Sequence, residues 1–252
     1  MQIVTPTAAL RPRDYVAARG PEAADFLQRM LSNDVEQAPC RALLLTPKGR
    51  VIAPLVLVRR APDDFLMLTE PGLGEAVRDT LLRARFAAKV EIEPEQHTSV
   101  LVFGGADGIP NDDYGTPAVE VLDAEQPPEL LAEEELERRR IDAGTPRWGN
   151  EIDDRVLPAE AGLTETHVSF TKGCYPGQEP IARLHYRGKA NRALRVVEVE
   201  GAPEPETEVL HGDKKVGRVT SSVPGLALAY VRTDLPEGAE LTIGGSTASL
   251  RA

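Results

Sequence analysis

The densest chemistry in the chain is the run Lys172-Gly173-Cys174-Tyr175-Pro176-Gly177-Gln178-Glu179-Pro180. Glycines at 173 and 177 permit positive φ and close backbone approach, which suits a tight turn presenting the Cys174 thiol. Lys172 lies two residues before that thiol, and a nearby cation raises the thiolate fraction, the form that attacks or binds metal. An isolated cysteine is more often a small buried apolar group, so the run by itself leaves the two readings level. After it come Arg183, His185, Arg187, Lys189, Arg192 and Arg195, five formal cations and a histidine with no acid. Such a run fits phosphate or the carboxylates of a glutamate-tailed cofactor, or else a basic loop pairing with an acidic surface. Tyr175 and Tyr186 bracket it and could stack on a planar ring or pack.

Other chemistries lack their residues. Cys40 and Cys174 are the only two cysteines, which excludes a disulfide framework, a four-cysteine zinc site and a self-contained iron–sulfur site. His97, His167, His185 and His211 show no metal-ligand spacing, so no metal site is expected. The phosphate-cradling glycine motifs and the serine nucleophile elbow are absent.

The elements that must position these groups fall into three zones of a 252-residue chain carrying a net charge of −11. That acidic balance argues against bulk binding of nucleic acid or anionic membrane. The longest apolar stretch, Val51 to Val58, is too short to span a bilayer, and the start does not read as a secretory signal. A cytoplasmic protein without stable membrane contact is expected. Residues 1–93 mix a helix after Pro21, strands at Ala42 to Leu45, Val51 to Val58 and Phe65 to Thr69, a helix over Leu73 to Ala84 and a strand at Lys89 to Glu93. Residues 94–187 add strands at Ser99 to Phe103 and Ala118 to Leu122, and a charged helix over Pro128 to Ile141 whose acids precede its arginines. Residues 188–252 hold six short β segments separated by glycine-rich turns, the pattern of a small antiparallel barrel. The fold class is therefore α+β.

Lys172 to Glu179 resembles the K-G-C-Y-x-G-Q-E signature of the YgfZ family, folate-binding relatives of the glycine cleavage T-protein and of the mitochondrial iron–sulfur cluster assembly factors. Further matches are Phe26-Leu27 to Val35, Thr46-Pro47-Lys48-Gly49-Arg50, Arg140 to Pro146, Leu157-Pro158-Ala159-Glu160, and Ile181-Ala182-Arg183 to Lys189. The resemblance implies a GcvT-like folate-binding fold: two mixed α/β subdomains and a C-terminal β-barrel around a central cavity. It implies tetrahydrofolate, or a one-carbon derivative, as cofactor. Glu160 would bind the pterin, a role that suits two acceptor oxygens, with Tyr175, Arg183 and Arg187 also at the cofactor and Cys174 as the reactive thiol.

The same resemblance implies an accessory role in iron–sulfur cluster assembly or repair, with an indirect effect on tRNA modification. Iron–sulfur client or assembly proteins are then the expected partners, and a monomer without direct nucleic-acid contact is expected. One departure bears on catalysis. Where aminomethyltransferases carry an asparagine-rich segment with a catalytic Asp, this chain reads Leu68-Thr69-Glu70-Pro71-Gly72-Leu73-Gly74-Glu75-Ala76, which argues against that activity. The alternatives are a tetrahydrofolate-dependent aminomethyltransferase or demethylase using Glu75 or Asp34 as its acid, and a non-catalytic RNA-binding module built on Arg183 to Arg195.

Overall fold

The computed structural model describes residues 7–105, 107–236 and 238–251. A five-stranded antiparallel sheet is ordered Cys40–Leu45, Val51–Ala61, Asp64–Thr69, Asp14–Arg19, Glu91–Glu95. Its longest strand alternates buried and half-buried side chains from Val51 to Val58, as a two-sided pleat requires. On one face Val16, Leu44, Leu57, Phe65 and Met67 bury Phe26 and Leu27 of the helix Ala23–Met30 and Val77 and Leu81 of the helix Gly74–Ala84. Leu43, Leu45 and Val51 on the other face pack against Ile152, Val156, Leu163, Tyr175 and Ile181. The segment carrying the cysteine motif thus completes the first sheet.

A second antiparallel sheet is ordered Thr7–Leu10, Ser99–Phe103, Ala118–Leu122, Ile109–Asn111. Its first strand comes from the chain start and pairs Ala8 with Val102, so it crosses the expected boundary at residue 93. The charged helix is Glu133–Asp142, shorter than the expected Pro128 to Ile141. The preceding residues are held outside the helix: Leu131 donates its N–H to the Ala8 carbonyl at 2.7 Å. The cationic run from Arg183, for which a basic loop was one of two readings, begins inside the helix Gln178–Arg187. Pro180 is tolerated there because N–H groups of a first turn have no intrahelical acceptor.

The last six strands close into a barrel: Arg192–Val199, Leu226–Arg232, Lys214–Val223, Glu208–His211, Leu241–Ile243, Ser246–Leu250. Closure leaves no free edge. Glu151 fastens the barrel to the helix Glu133–Asp142. Its carboxylate accepts from Arg140 Nη1 at 3.0 Å and Ser221 Oγ at 2.6 Å, and its carbonyl accepts from Tyr230 Oη at 2.8 Å.

Candidate functional site

Four separated stretches meet at the cysteine motif. Lys172 Nζ donates to the Leu31 carbonyl at 2.7 Å and the Asn33 carbonyl at 2.8 Å. Ser32, buried between them, donates its hydroxyl to the His167 carbonyl at 2.6 Å and accepts the Leu43 N–H at 2.8 Å. On the other side of the thiol, Gly177 at φ +83° approaches the turn at 46–50 so closely that a Cβ would stand 2.5 Å from the Thr46 carbonyl oxygen. Both flanks of Cys174 are therefore clamped to the first sheet, while Cys174 itself is exposed.

The expected electrostatics differ from this arrangement. Lys172 points its ammonium at backbone carbonyls and lies near Asp34 and Cys40 rather than activating Cys174. Burial brings the Lys172 ammonium down to about 8. Burial, with Asp34 beside it, pushes the half-buried Cys40 thiol up to about 11. Of the two flanking glycines only Gly177 uses a left-handed φ; Gly173 does not, and a Cβ there would meet nothing within 4 Å.

Between the three parts of the fold lies a cavity of about 710 Å³, within the size range of small-molecule sites. Both sheets, the helix Glu133–Asp142, the loop at 143–148, the segment 161–167 and Leu194 of the barrel contribute to its wall. Most of its charged side chains are paired with one another, the exposed Glu133 being an exception. Arg11 holds Glu70 with contacts of 2.5 and 3.2 Å, and Arg13 bridges Glu70 at 3.2 Å and the buried Glu120 at 2.5 Å. Ser99 and Asn111 complete the Glu120 carboxylate. Burial alone would raise both carboxyls, but the arginines outweigh it and hold them below the usual carboxylate range. His167, also on the wall, is kept neutral: burial, aided by Arg41, lowers its imidazole to about 3. The buried Nε of Arg11 has no hydrogen-bond partner among the described residues. Trp148, Tyr114 and Leu136 supply apolar wall. The volume and the apolar wall admit a small organic ligand.

The expected site residues divide. Ala161, Gly162 and Leu163 form wall, whereas Glu160 lies outside the lining and is engaged bidentately by Arg192 at 3.1 and 3.2 Å. Its carboxylate also accepts the Leu157 N–H at 3.1 Å. Tyr175 is buried in the apolar cluster beneath the first sheet. Gln178 and Glu179 open the helix that carries the exposed Arg183 and Arg187. None of these five lines the cavity. The cationic run is divided as well, since Arg192 pairs with Glu160 and Arg195 donates to the Arg251 carbonyl. Glu75 is exposed on its helix, and Asp34 caps the 3-10 turn Val35–Gln37. Neither proposed acid reaches the cavity. The residues that sequence reasoning missed are Arg11, Arg13, Glu120 and Glu151, whose partners lie far along the chain.

Residues 191–252 match the family described as CAF17, C-terminal beta-barrel domain. The chain is 27% identical over 233 residues to an uncharacterized protein of Haemophilus influenzae, covering 85% of this chain and 83% of the relative. It is 26% identical over 293 residues to the mitochondrial iron–sulfur cluster assembly factor IBA57 homolog of Pyricularia oryzae, covering 96% and 75%. The solved aminomethyltransferase T of the Bartonella henselae glycine cleavage system superposes with a TM-score of 0.83 at 17% identity, covering 98% and 85%. That likeness shows a shared fold.

Proposed function

We propose that this chain, a YgfZ/IBA57-like protein of the GcvT superfamily, is a cytoplasmic, monomeric accessory factor for assembling or repairing iron–sulfur proteins. In this reading it presents Cys174 to a partner and takes a reduced folate into its central cavity. The observation that carries the reading is the exposed thiol between two clamped flanks, Lys172 on Leu31 and Asn33, and Gly177 on Thr46. A thiol clamped on both sides keeps its position while remaining accessible, which is what a ligand offered to another protein needs. The Cys174 thiol would give its proton to water, and the thiolate so formed would replace a departing ligand on an iron of a cluster held by the partner. Two cysteines cannot supply a four-thiolate set, so the other ligands belong to the partner. The IBA57 homologs, named as assembly factors, point the same way.

The cavity supports folate through its size, its apolar wall and the unpartnered Arg11 Nε. Bound reduced folate would supply a one-carbon carrier or acceptor. Arg11 and the neutral His167 would meet the polar edge of its ring, and Trp148 and Tyr114 its faces. An effect on tRNA thiomethylation would then follow from the clusters of the modifying enzymes.

Complementation tests the thiol. In cells lacking the protein, Cys40→Ser is expected to restore the activity of cluster-containing enzymes and Cys174→Ser to fail. Full rescue by Cys174→Ser would overturn the role of the thiol. Titration with tetrahydrofolate, followed by tryptophan fluorescence from Trp148, the one tryptophan, tests the cavity separately.

A further inference from the structure

The helix Gln178–Arg187 ends in a surface that nothing in the fold uses. Arg183, Tyr186 and Arg187 stand at i, i+3 and i+4, one face of the helix. All three are exposed, Tyr186 by 67%. Phe170, from the loop before Cys174, stacks on His185 with ring centroids 3.9 Å apart and meets Tyr186 edge-on at 5.8 Å. The loop therefore turns back along the helix, anchored by Phe170 near its last turn and by Gly177 at its first. A ten-residue helix is about 15 Å long. Cys174, three residues from Gly177, thus sits within roughly 11 Å of the residue that precedes the helix.

The charges on this face are unusual for the molecule. The chain carries 40 acidic side chains, and most of its arginines pair with them. Arg183, Arg187 and the neighbouring Lys189 form no ion pair and no side-chain hydrogen bond among the described residues, although all are exposed and free to reach one. Lys48, on the turn packed against Gly177 and Pro180, is likewise exposed and unpaired among them. Glu179, exposed four residues before Arg183, is the one acid on this face among the described residues, and an aromatic cluster rimmed by such an excess of cations is the composition of a contact surface, with tyrosine as anchor and charge at the rim.

We propose that the face formed by Arg183, Tyr186 and Arg187, flanked by Phe170 stacked on His185, docks an acidic protein surface beside Cys174. The choice of occupant rests on charge complementarity and scale. Three or four cations over about 15 Å match one acidic patch with an apolar centre. Nucleic acid would need a longer basic track, and the net charge of −11 opposes it. The proposal rests on the reading of Cys174 as a thiol presented to a partner, and it deepens that reading by assigning where the partner sits.

Fluorescence anisotropy on the full chain tests it. The probe is a labelled twelve-residue peptide of Glu and Asp around two Leu residues, beside an isomeric Lys-for-Glu peptide and a twelve-nucleotide single-stranded RNA. The acidic peptide should bind in preference to the basic one and weaken as salt rises. The R183E/R187E double variant should bind it on the order of tenfold more weakly, and Tyr186→Ala should also weaken it. Lys214→Glu, an exposed charge reversal on the barrel, should leave binding unchanged. Thermal midpoints of all variants establish that they are folded. Equal binding of the two peptides, unchanged binding by R183E/R187E, or displacement of the peptide by RNA at lower concentration would overturn the proposal. Cys174→Ser should bind the peptide as the native chain does, so loss of the thiol role and loss of the docking role register in different measurements.

Discussion

Lys172 Nζ and the Asn33 carbonyl oxygen stand 2.8 Å apart although 139 residues separate them along the chain. The lysine heads the cysteine motif, and the asparagine belongs to the Ser-Asn-Asp stretch that ends the first helix. Two sequence motifs that read as separate signals are thus halves of one latch.

Lys172→Met should therefore act on stability before chemistry. It leaves the Leu31 and Asn33 carbonyls without their donor, which costs about 1–3 kcal/mol. Urea unfolding of native and variant chains measures this. An unchanged midpoint with an unchanged slope would show that the latch contributes nothing.

The two glycines of the motif should behave differently. Gly177→Ala forces a Cβ to within 2.5 Å of the Thr46 carbonyl at φ +83° and should cost about 1–3 kcal/mol from backbone strain alone. Gly173→Ala meets open space at an ordinary φ and should unfold close to the native midpoint. Equal effects at the two positions would contradict this contact.

The thiols should differ in reactivity. Cys40 is half-buried with its thiol pushed up to about 11, so at pH 8 about one molecule in a thousand carries the thiolate there. Cys174 is exposed. Iodoacetamide followed by peptide mass spectrometry should find Cys174 modified first. Earlier labelling of Cys40 would reverse the assignment.

Acid should weaken the fold partly through His167. Its folded-state imidazole lies at about 3 against about 6.5 in the unfolded chain. Between these values the unfolded state binds the extra proton, so stability falls as pH drops from about 6.5 toward 3. His167→Gln should make the slope of unfolding free energy near pH 5 shallower by about 1.4 kcal/mol per pH unit. The remaining slope includes Glu70 and Glu120, whose lowered carboxyls also lose their stabilising charge in acid. An identical slope in the variant would exclude the histidine.

Arg13→Met should be the most damaging of these changes. It strands Glu120, whose side chain is 1% exposed against 4% for Arg13, and breaking one side of a buried pair costs about 3–5 kcal/mol. The double variant Arg13→Met/Glu120→Leu should recover part of that loss, since no buried charge is left uncompensated. A double variant no more stable than the single one would show that other partners dominate.

The barrel was legible because its six strands follow one another closely and are punctuated by glycine turns, signals that act locally. The helix Gly74–Ala84 was legible from the period of Leu73, Val77 and Leu81. The interior strand Asp14–Arg19 was not, because Val16-Ala17-Ala18 is buried on both sides and shows no alternation. Its position is imposed by Asp64–Thr69 and Glu91–Glu95. The helix Gln178–Arg187 was masked by Pro180 and by charge that reads as loop. Within the site, Cys174 and its glycines could be found because they are contiguous. Arg13 and Glu120 are 107 residues apart, and nothing local marks either as a partner of the other.

The strand Thr7–Leu10 pairs with Ser99–Phe103, Thr7 opposite Phe103. At about 5–20 residues per second of synthesis, roughly 5–20 s separate the emergence of the two. During that time the first sheet can assemble around its own hairpins, while the leading strand waits without an edge to join. Pairing in the second sheet therefore waits on Ser99–Phe103, and the cavity wall waits longer still, for the segments at 143–148 and 161–167 and for Leu194.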